Sequence, residues 1–317
     1  MHSLKTVNCD SADALLDTLR RSNDCWWESE FPVSPWVFRG AGDAHKWKLT
    51  PSAWRANGNG LMPLIERIAR LTLPLKIVAQ GCADEPNDRF RRYCEWVGAE
   101  TEALYQFACA ANEQGFSVDP GSYQRNRSPI TLKALGPGVG FGDDRPLPEV
   151  TFIAQHHGVP TRLLDWSGNP MVAAFFAAVP LRQLQDSEKL CVWALDTGHL
   201  THQGPYAKEF GQFELLVHRP PRSTNQFLHS QGGVLTELSN RRALERHFLA
   251  NLSWPTLEEV IAPIESERPI LIAHTLSAKH ADRLLMLLDR EGINHSALMP
   301  TLDNVTKTVR DRWQRET

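Results

Sequence analysis

The sequence predicts an α+β fold, and three observations carry that prediction. Segments with helical spacing and segments with strand spacing are both present, and they do not alternate regularly as a doubly wound sheet requires. The composition is that of a globular chain, with 42% hydrophobic and 22% charged residues in 317. That length buries a full core as one large domain or two small ones. A net charge of −3 gives no general electrostatic platform for nucleic acid or anionic lipid.

The elements follow in order. Ser11 is the expected N-cap of a helix through Arg21, with Leu15, Leu16 and Leu19 on its apolar face. Trp36-Val37-Phe38 is a short strand-like run after Pro32 and Pro35, ending at Arg39-Gly40. A long helix is expected from Tyr93 to Gln114, stopped by Gly115. Its apolar face carries Trp96, Ala103, Leu104, Phe107 and Ala111, with the carboxylate of Glu100 on the same face. Residues 115–148 are rich in Gly, Pro, Asn and Asp around the glycines of 136–142, and read as a long loop of the kind that serves as a lid or binding element. Residues 190–195, 213–217 and 270–275 are β-like, and Asn169-Pro170 caps and opens a helix through Val179. Ser277 is the expected cap of an amphipathic helix with Ala281, Leu284, Leu285 and Leu288 on one face, ending at Gly292.

Six cysteines at 9, 25, 82, 94, 109 and 191 form no CxxC pair, so scattered reduced thiols are expected rather than disulfides or a zinc site. The longest apolar runs, such as 171–180, are too short to span a bilayer, and residues 1–10 show no signal peptide. A cytoplasmic protein without a membrane partner is the expectation.

Two polar clusters carry the chemistry. In the first, Arg39 leaves the end of a strand before Gly40, followed by Trp47-Lys48-Leu49-Thr50-Pro51-Ser52 and Arg55. Its planar fork suits a phosphate or carboxylate, and the glycine admits close approach of backbone. A structural salt bridge is the alternative. The second cluster, from Gln155 to Pro170, packs amide, imidazole, guanidinium, carboxylate, indole and hydroxyl groups into one stretch before an apolar helix. An extended 161–167 segment places Thr161, Leu163, Asp165 and Ser167 on one face and Arg162, Leu164 and Trp166 on the other. Beside a helix N-terminus it either holds phosphate and ribose or forms an internal Arg–Asp network. The adjacent His156 and His157 cannot aim both rings to one side of a regular element, the glycines of 136–142 lack the lysine of a P-loop, and no metal is expected.

Phe38-Arg39-Gly40, Pro51-Ser52, Arg55 and the whole block from Gln155 to Pro170 resemble the FRG family, named for its first motif. Ala173, Phe176 and Ala177, Gln231-Gly232-Gly233-Val234, and Leu284, Gly292-Ile293 and Leu302-Asp303 continue the pattern. A looser resemblance is to ADP-ribosyltransferases of the arginine-serine-glutamate type, through Arg39-Gly40, Ser167 before its helix, and the strand near Gln231. It implies small split β-sheets flanked by helices, with a helical extension 1–35, a core 36–240 interrupted by a helical and loop insertion 56–150, and a C-terminal strand–helix extension 241–317. NAD is the implied substrate. Phe38, Arg39, Gly40, Arg162, Asp165, Trp166 and Ser167 are then the implied binding residues, with Phe38 or Trp166 stacking the nicotinamide. Gly233 stands where that class carries its catalytic glutamate, so Glu100 or Glu237 is expected to supply the carboxylate, with His156 and Gln231 beside it.

The resemblance implies transfer of ADP-ribose to a protein or nucleic-acid acceptor, or hydrolysis of NAD, by a bacterial toxin or phage-defence effector with an antitoxin or regulator. The competing readings are a non-catalytic nucleotide- or partner-binding module and a metal-dependent nuclease using His156, His157 and Asp165.

Overall fold

The strand that carries Arg39 is the middle one of the seven-stranded sheet. The computed structural model describes residues 2–27, 33–44, 48–55, 60–72, 88–118, 149–182, 188–201, 210, 212–219 and 230–313. The glycines of 136–142, Trp47, and most of the expected loop lie outside them. The described strands are β1 (Leu4–Cys9), β2 (Trp36–Ala41), β3 (Leu163–Ser167), β4 (Lys189–Asp196), β5 (Glu214–His218), β6 (Gly233–Ser239) and β7 (Leu271–Ser277). The described helices are α1 (Ala12–Leu19), α2 (Met62–Thr72), α3 (Asp88–Glu113), α4 (Glu149–His156), α5 (Pro170–Ala178), α6 (Arg241–Asn251), α7 (Leu257–Ile261), α8 (Ala281–Arg290), α9 (His295–Leu298) and α10 (Leu302–Trp313). The chain is α+β, as its patterning implies. Among the described residues the strands join one seven-stranded sheet in the order β1-β7-β4-β2-β3-β6-β5, where the resemblance implied small split sheets. β1 runs parallel to β7, whereas β4 pairs antiparallel with both β7 and β2.

Two compact units are built from interleaved segments: residues 1–49, 165–237 and 257–317 form the first, and residues 50–164 and 238–256 the second. In the first, Ala12, Leu15 and Leu19 of α1, Val172 to Phe175 of α5, and Leu284, Leu285 and Leu288 of α8 share one core with Phe38, Val192, Ala194 and Leu276 of the sheet. Each fully buried leucine there is worth roughly 1.5–3 kcal/mol. The caps fall where the local chemistry puts them. Ser11 accepts from the Ala14 amide at 3.1 Å, and Asn169 caps α5 with Pro170 at its first position. Ser277 does not cap: a 3-10 turn over Ala278–His280 intervenes, and the serine side chain makes no cap hydrogen bond.

In the second unit, α3 ends near Gly115, whose φ of +83° needs a residue without Cβ. Its buried face runs through Tyr93, Val97, Glu100, Leu104 and Ala108, rotated from the face through Trp96 and Ala103 that the pattern suggested. Trp54 and Trp254 stack at 4.8 Å, and Tyr93 and Phe248 pack against Trp254. No helix among the described residues is long and apolar enough to cross a membrane. The described cysteines, 9, 25, 94, 109 and 191, form no disulfide. Burial pushes the Cys94 thiol up to about 12 and raises that of Cys191 as well, so neither is a ready nucleophile.

His274 on β7 is the weak point of the first core. It is buried, its ring lies edge-on to Trp26 with centroids 5.9 Å apart, and neither ring nitrogen has a hydrogen-bond partner. Burial, with a smaller contribution from the charge of Lys5, pulls the imidazole down to about 4. The unfolded chain therefore takes up this proton below its ordinary value of about 6.5, while the folded chain resists until about 4. Stability from this group is intact above the unfolded value and is lost as pH falls through that window. The expected loss between pH 7 and pH 5 is about 2 kcal/mol. Urea denaturation at the two pH values should show that loss reduced by about the same amount in His274→Leu; an unchanged difference would remove His274 as its source.

Candidate functional site

The site is clearest around β2. Arg39 donates from Nη1 to the backbone carbonyl of Asp165 at 2.6 Å, and the same nitrogen lies 3.7 Å from the Asp165 carboxylate. Only Phe38 and Ser167 are in register between β2 and β3, so this side chain fastens the strands beyond their ladder. The arginine side chain is 22% exposed and the aspartate 58%, which puts a cation and an anion side by side within reach of solvent. Directly across β2–β4 from Arg39 stands Trp193, on the same side of the sheet. Its indole is buried and its N–H has no hydrogen-bond partner. The local pattern of β4 offers no polar motif to single this residue out; strand register alone places it beside Arg39.

Gly40 serves packing rather than a ligand. A Cβ there would sit 2.1 Å from the Ala173 carbonyl oxygen and 2.5 Å from the Ala177 nitrogen, both in the backbone of α5. Phe38 and Trp166, the expected stacking residues, are both buried, Phe38 within the α1–α5–α8 core, and Trp166 donates its indole N–H to Thr236 Oγ1 at 2.8 Å. Neither presents a ring face for a nicotinamide.

Beyond β3 the polar groups close on one another. Ser167 Oγ donates to the Gln231 carbonyl at 2.6 Å and accepts from the Asn169 amide at 2.9 Å. The Gly168 amide donates to the Gly232 carbonyl at 2.9 Å, and Gly232 holds φ at +58°. At the start of α5, the Met171 amide donates to Asn169 Oδ1, while Val172 and Ala173 donate to the Asn169 carbonyl. Proline at the first position has no N–H to offer. The helix N-terminus expected to cradle an anion is capped by its own chain. Gln231 makes a long contact of 3.5 Å from its side-chain amide to the Leu298 carbonyl. Glu237, on β6, is buried with its carboxylate 3.3 Å from His218 Nε2.

The remaining residues belong to the second unit. Glu100 and Arg162, both 2% exposed, form a two-pronged pair: Nε to Oε1 at 2.8 Å and Nη2 to Oε2 at 2.9 Å. The Arg162 amide donates to the same carboxylate at 3.1 Å, and the guanidinium lies 5.8 Å over the Trp54 ring. A charge on an otherwise apolar helix face demands such a partner. Both residues, expected as an NAD contact and as a catalytic carboxylate, are thereby withdrawn from solvent. Thr161 donates to Gln155 Oε1, and its amide donates to Ser52 Oγ at 3.1 Å. The Pro51-Ser52 motif thus serves to hold the polar block. His156 ends α4 half-buried, its ring edge-on to that of His157 at 5.2 Å. Among the described residues no group of three or more His, Cys, Asp or Glu side chains is placed to hold a metal.

The polar groups from Gln155 to Arg162 and those from Asp165 to Asn169 are each bonded within their own unit. Residues 140–186 match the FRG domain. No curated protein and no solved structure matches the chain. The FRG match covers α4, β3 and α5, and ends before β4; Arg39 and its motif lie outside it. Within the FRG segment, Asp165 is the residue whose carboxylate reaches solvent beside Arg39.

Proposed function

We propose that the chain binds NAD through Arg39 and cleaves it as an ADP-ribosyltransferase or NAD glycohydrolase, at the bond between nicotinamide and ribose. The observation that supports this reading is the Arg39–Asp165 pair, an accessible guanidinium held by β3 with a more accessible carboxylate beside it. The guanidinium fork suits two phosphate oxygens. The carboxylate can stabilise positive charge that develops at the ribose as nicotinamide leaves. Asp165 suits that role better than Glu100 or Glu237, whose carboxylates are buried and paired. The acceptor would be a protein or nucleic acid, or water in the hydrolytic case. Such an activity would fit a bacterial cytoplasmic toxin or phage-defence effector under the control of a regulator.

A second reading, a non-catalytic nucleotide- or partner-binding module, is favoured by Gly233 at the expected glutamate position and by the pairing of both glutamates. Calorimetric titration with NAD and nicotinamide release with labelled NAD in lysate separate the two. Arg39→Ala is expected to weaken NAD binding about ten- to a hundredfold, with poor rescue by Arg39→Lys, because lysine keeps the charge and loses the fork. Its melting temperature should move little, since a partly exposed pair contributes at most about 1 kcal/mol. Asp165→Asn should bind NAD and fail to release nicotinamide. An Arg39→Ala protein that binds and consumes NAD like the parent ends the NAD reading; a parent that binds NAD without releasing nicotinamide selects the binding module.

A further inference from the structure

Asp165 owes its place beside Arg39 to the residue that follows it. β2, which carries Arg39, is in register with β4 at six positions from Trp36 to Ala41, and with β3 only at Phe38 and Ser167. The ladder therefore fixes Arg39 more firmly than Asp165. The carbonyl that accepts from Arg39 Nη1 belongs to the peptide between Asp165 and Trp166, and a peptide unit moves as one rigid plane. Whatever holds Trp166 thus holds that carbonyl and sets the direction in which the Asp165 carboxylate leaves the strand. Trp166 is held by β6, the next strand of the sheet. It is 3% exposed, and its indole donates at 2.8 Å to Oγ1 of Thr236, which is 1% exposed. The indole N–H groups of Trp26, Trp54, Trp193 and Trp254 are also buried, and none of them has a hydrogen-bond partner. The fold leaves those four unsatisfied and supplies an acceptor to the one that adjoins Asp165. Valine has the shape of threonine and would fill the same space without accepting anything.

From this geometry we infer that Thr236 is a positioning residue: through the indole of Trp166 it sets the place of Asp165 against Arg39. All of these residues belong to the first unit. Farther along, Ser167 and Gly168 donate to the carbonyls of Gln231 and Gly232, which anchors the end of β3. The bond from Trp166 to Thr236 is the side-chain anchor that adjoins the peptide facing Arg39. With the hydroxyl gone, a buried N–H loses its acceptor, and the indole turns toward another, carrying its own Cα and that peptide with it. The kinetic consequence rests on the reading of Arg39 and Asp165 as an NAD site. Arg39 stays on its ladder with β4, so phosphate binding is retained. The carboxylate then no longer lies where positive charge develops at the ribose. A displacement of about 1 Å is enough to cost about a hundredfold in rate.

The test compares two variants of the full chain: Thr236→Val, which keeps the shape and loses the acceptor, and Thr236→Ser, which keeps the hydroxyl. Thr236→Val should lower kcat for nicotinamide release about ten- to a hundredfold while its Kd for NAD stays within about twofold of the parent's. Thr236→Ser should restore kcat. A second readout needs no NAD. In protein carrying isotopically labelled arginine, the guanidinium resonance of Arg39, assigned by its loss in Arg39→Lys, should shift in Thr236→Val and return in Thr236→Ser. Trp166→Phe removes the donor instead and serves as the second variant should Thr236→Val fail to fold. Joined to Thr236→Val, it should shift the resonance no further than either change alone. A Thr236→Val protein that keeps the parent's Arg39 resonance, or that melts lower with kcat unchanged, overturns the inference and leaves the bond a contributor to stability only. A parent that releases no nicotinamide ends the enzymatic reading instead, and the resonance then decides the inference alone.

Discussion

Gly40→Ala is expected to lower the stability of the protein by about 3 kcal/mol or more, read as a melting temperature about 6–12 °C below the parent. Overpacking is ordinarily absorbed by a neighbouring side chain that changes rotamer. Here the added methyl would meet backbone, at 2.1 Å from one helical atom and 2.5 Å from another, and backbone yields only if α5 moves as a body. That movement would lift Ala173, Ala174, Ala177 and Ala178 off the sheet and open the core they share with Phe38. The small residues of α5 and the glycine of β2 are one device for a close strand–helix approach. Gly168→Ala is the control: its Cβ would find the Gly232 oxygen at 3.7 Å, an ordinary contact, and its melting temperature should stay near the parent's. A Gly40→Ala protein that melts within about 2 °C of the parent would show that α5 does not sit on β2 in this way.

How much of this was legible depended on whether the deciding partner was local. Ser11 and Asn169-Pro170 announce their helices because the atoms they satisfy lie two or three residues away. β1 carried no such signal. It is an edge strand whose Lys5 and Thr6 face solvent, and its partner β7 is more than 260 residues distant. Gly40 reads from sequence as a place of close approach, yet the approaching group comes from residues 173–177 and could not be named. The polar block from Gln155 to Pro170 was legible as a cluster and illegible in purpose. Its groups are of the kinds that bind phosphate and ribose, and many of them prove to be engaged with one another. Asp165 differs because its carboxylate remains at the surface, and Trp193 entered the site through register alone.

Breaking the Glu100–Arg162 pair is expected to have the largest effect of any single charge change. Both side chains are 2% exposed, and the carboxylate accepts from two guanidinium nitrogens and from the Arg162 amide. Glu100→Gln keeps the shape and removes the charge, leaving a buried guanidinium without its counter-ion. Such a change typically costs about 3–5 kcal/mol, a large share of the 5–15 kcal/mol that holds a domain together. Arg162→Met strands the carboxylate and should cost as much. The double variant Glu100→Leu/Arg162→Met removes both charges and should be more stable than either single change, since two apolar side chains need no desolvation repaid. A catalytic Glu100 gives another pattern: Glu100→Gln would melt like the parent and lose activity alone. Urea denaturation of the four proteins therefore decides between a residue that holds the fold and one that acts on substrate. A Glu100→Gln protein with an unshifted midpoint would return Glu100 to the catalytic candidates and take that role from Asp165.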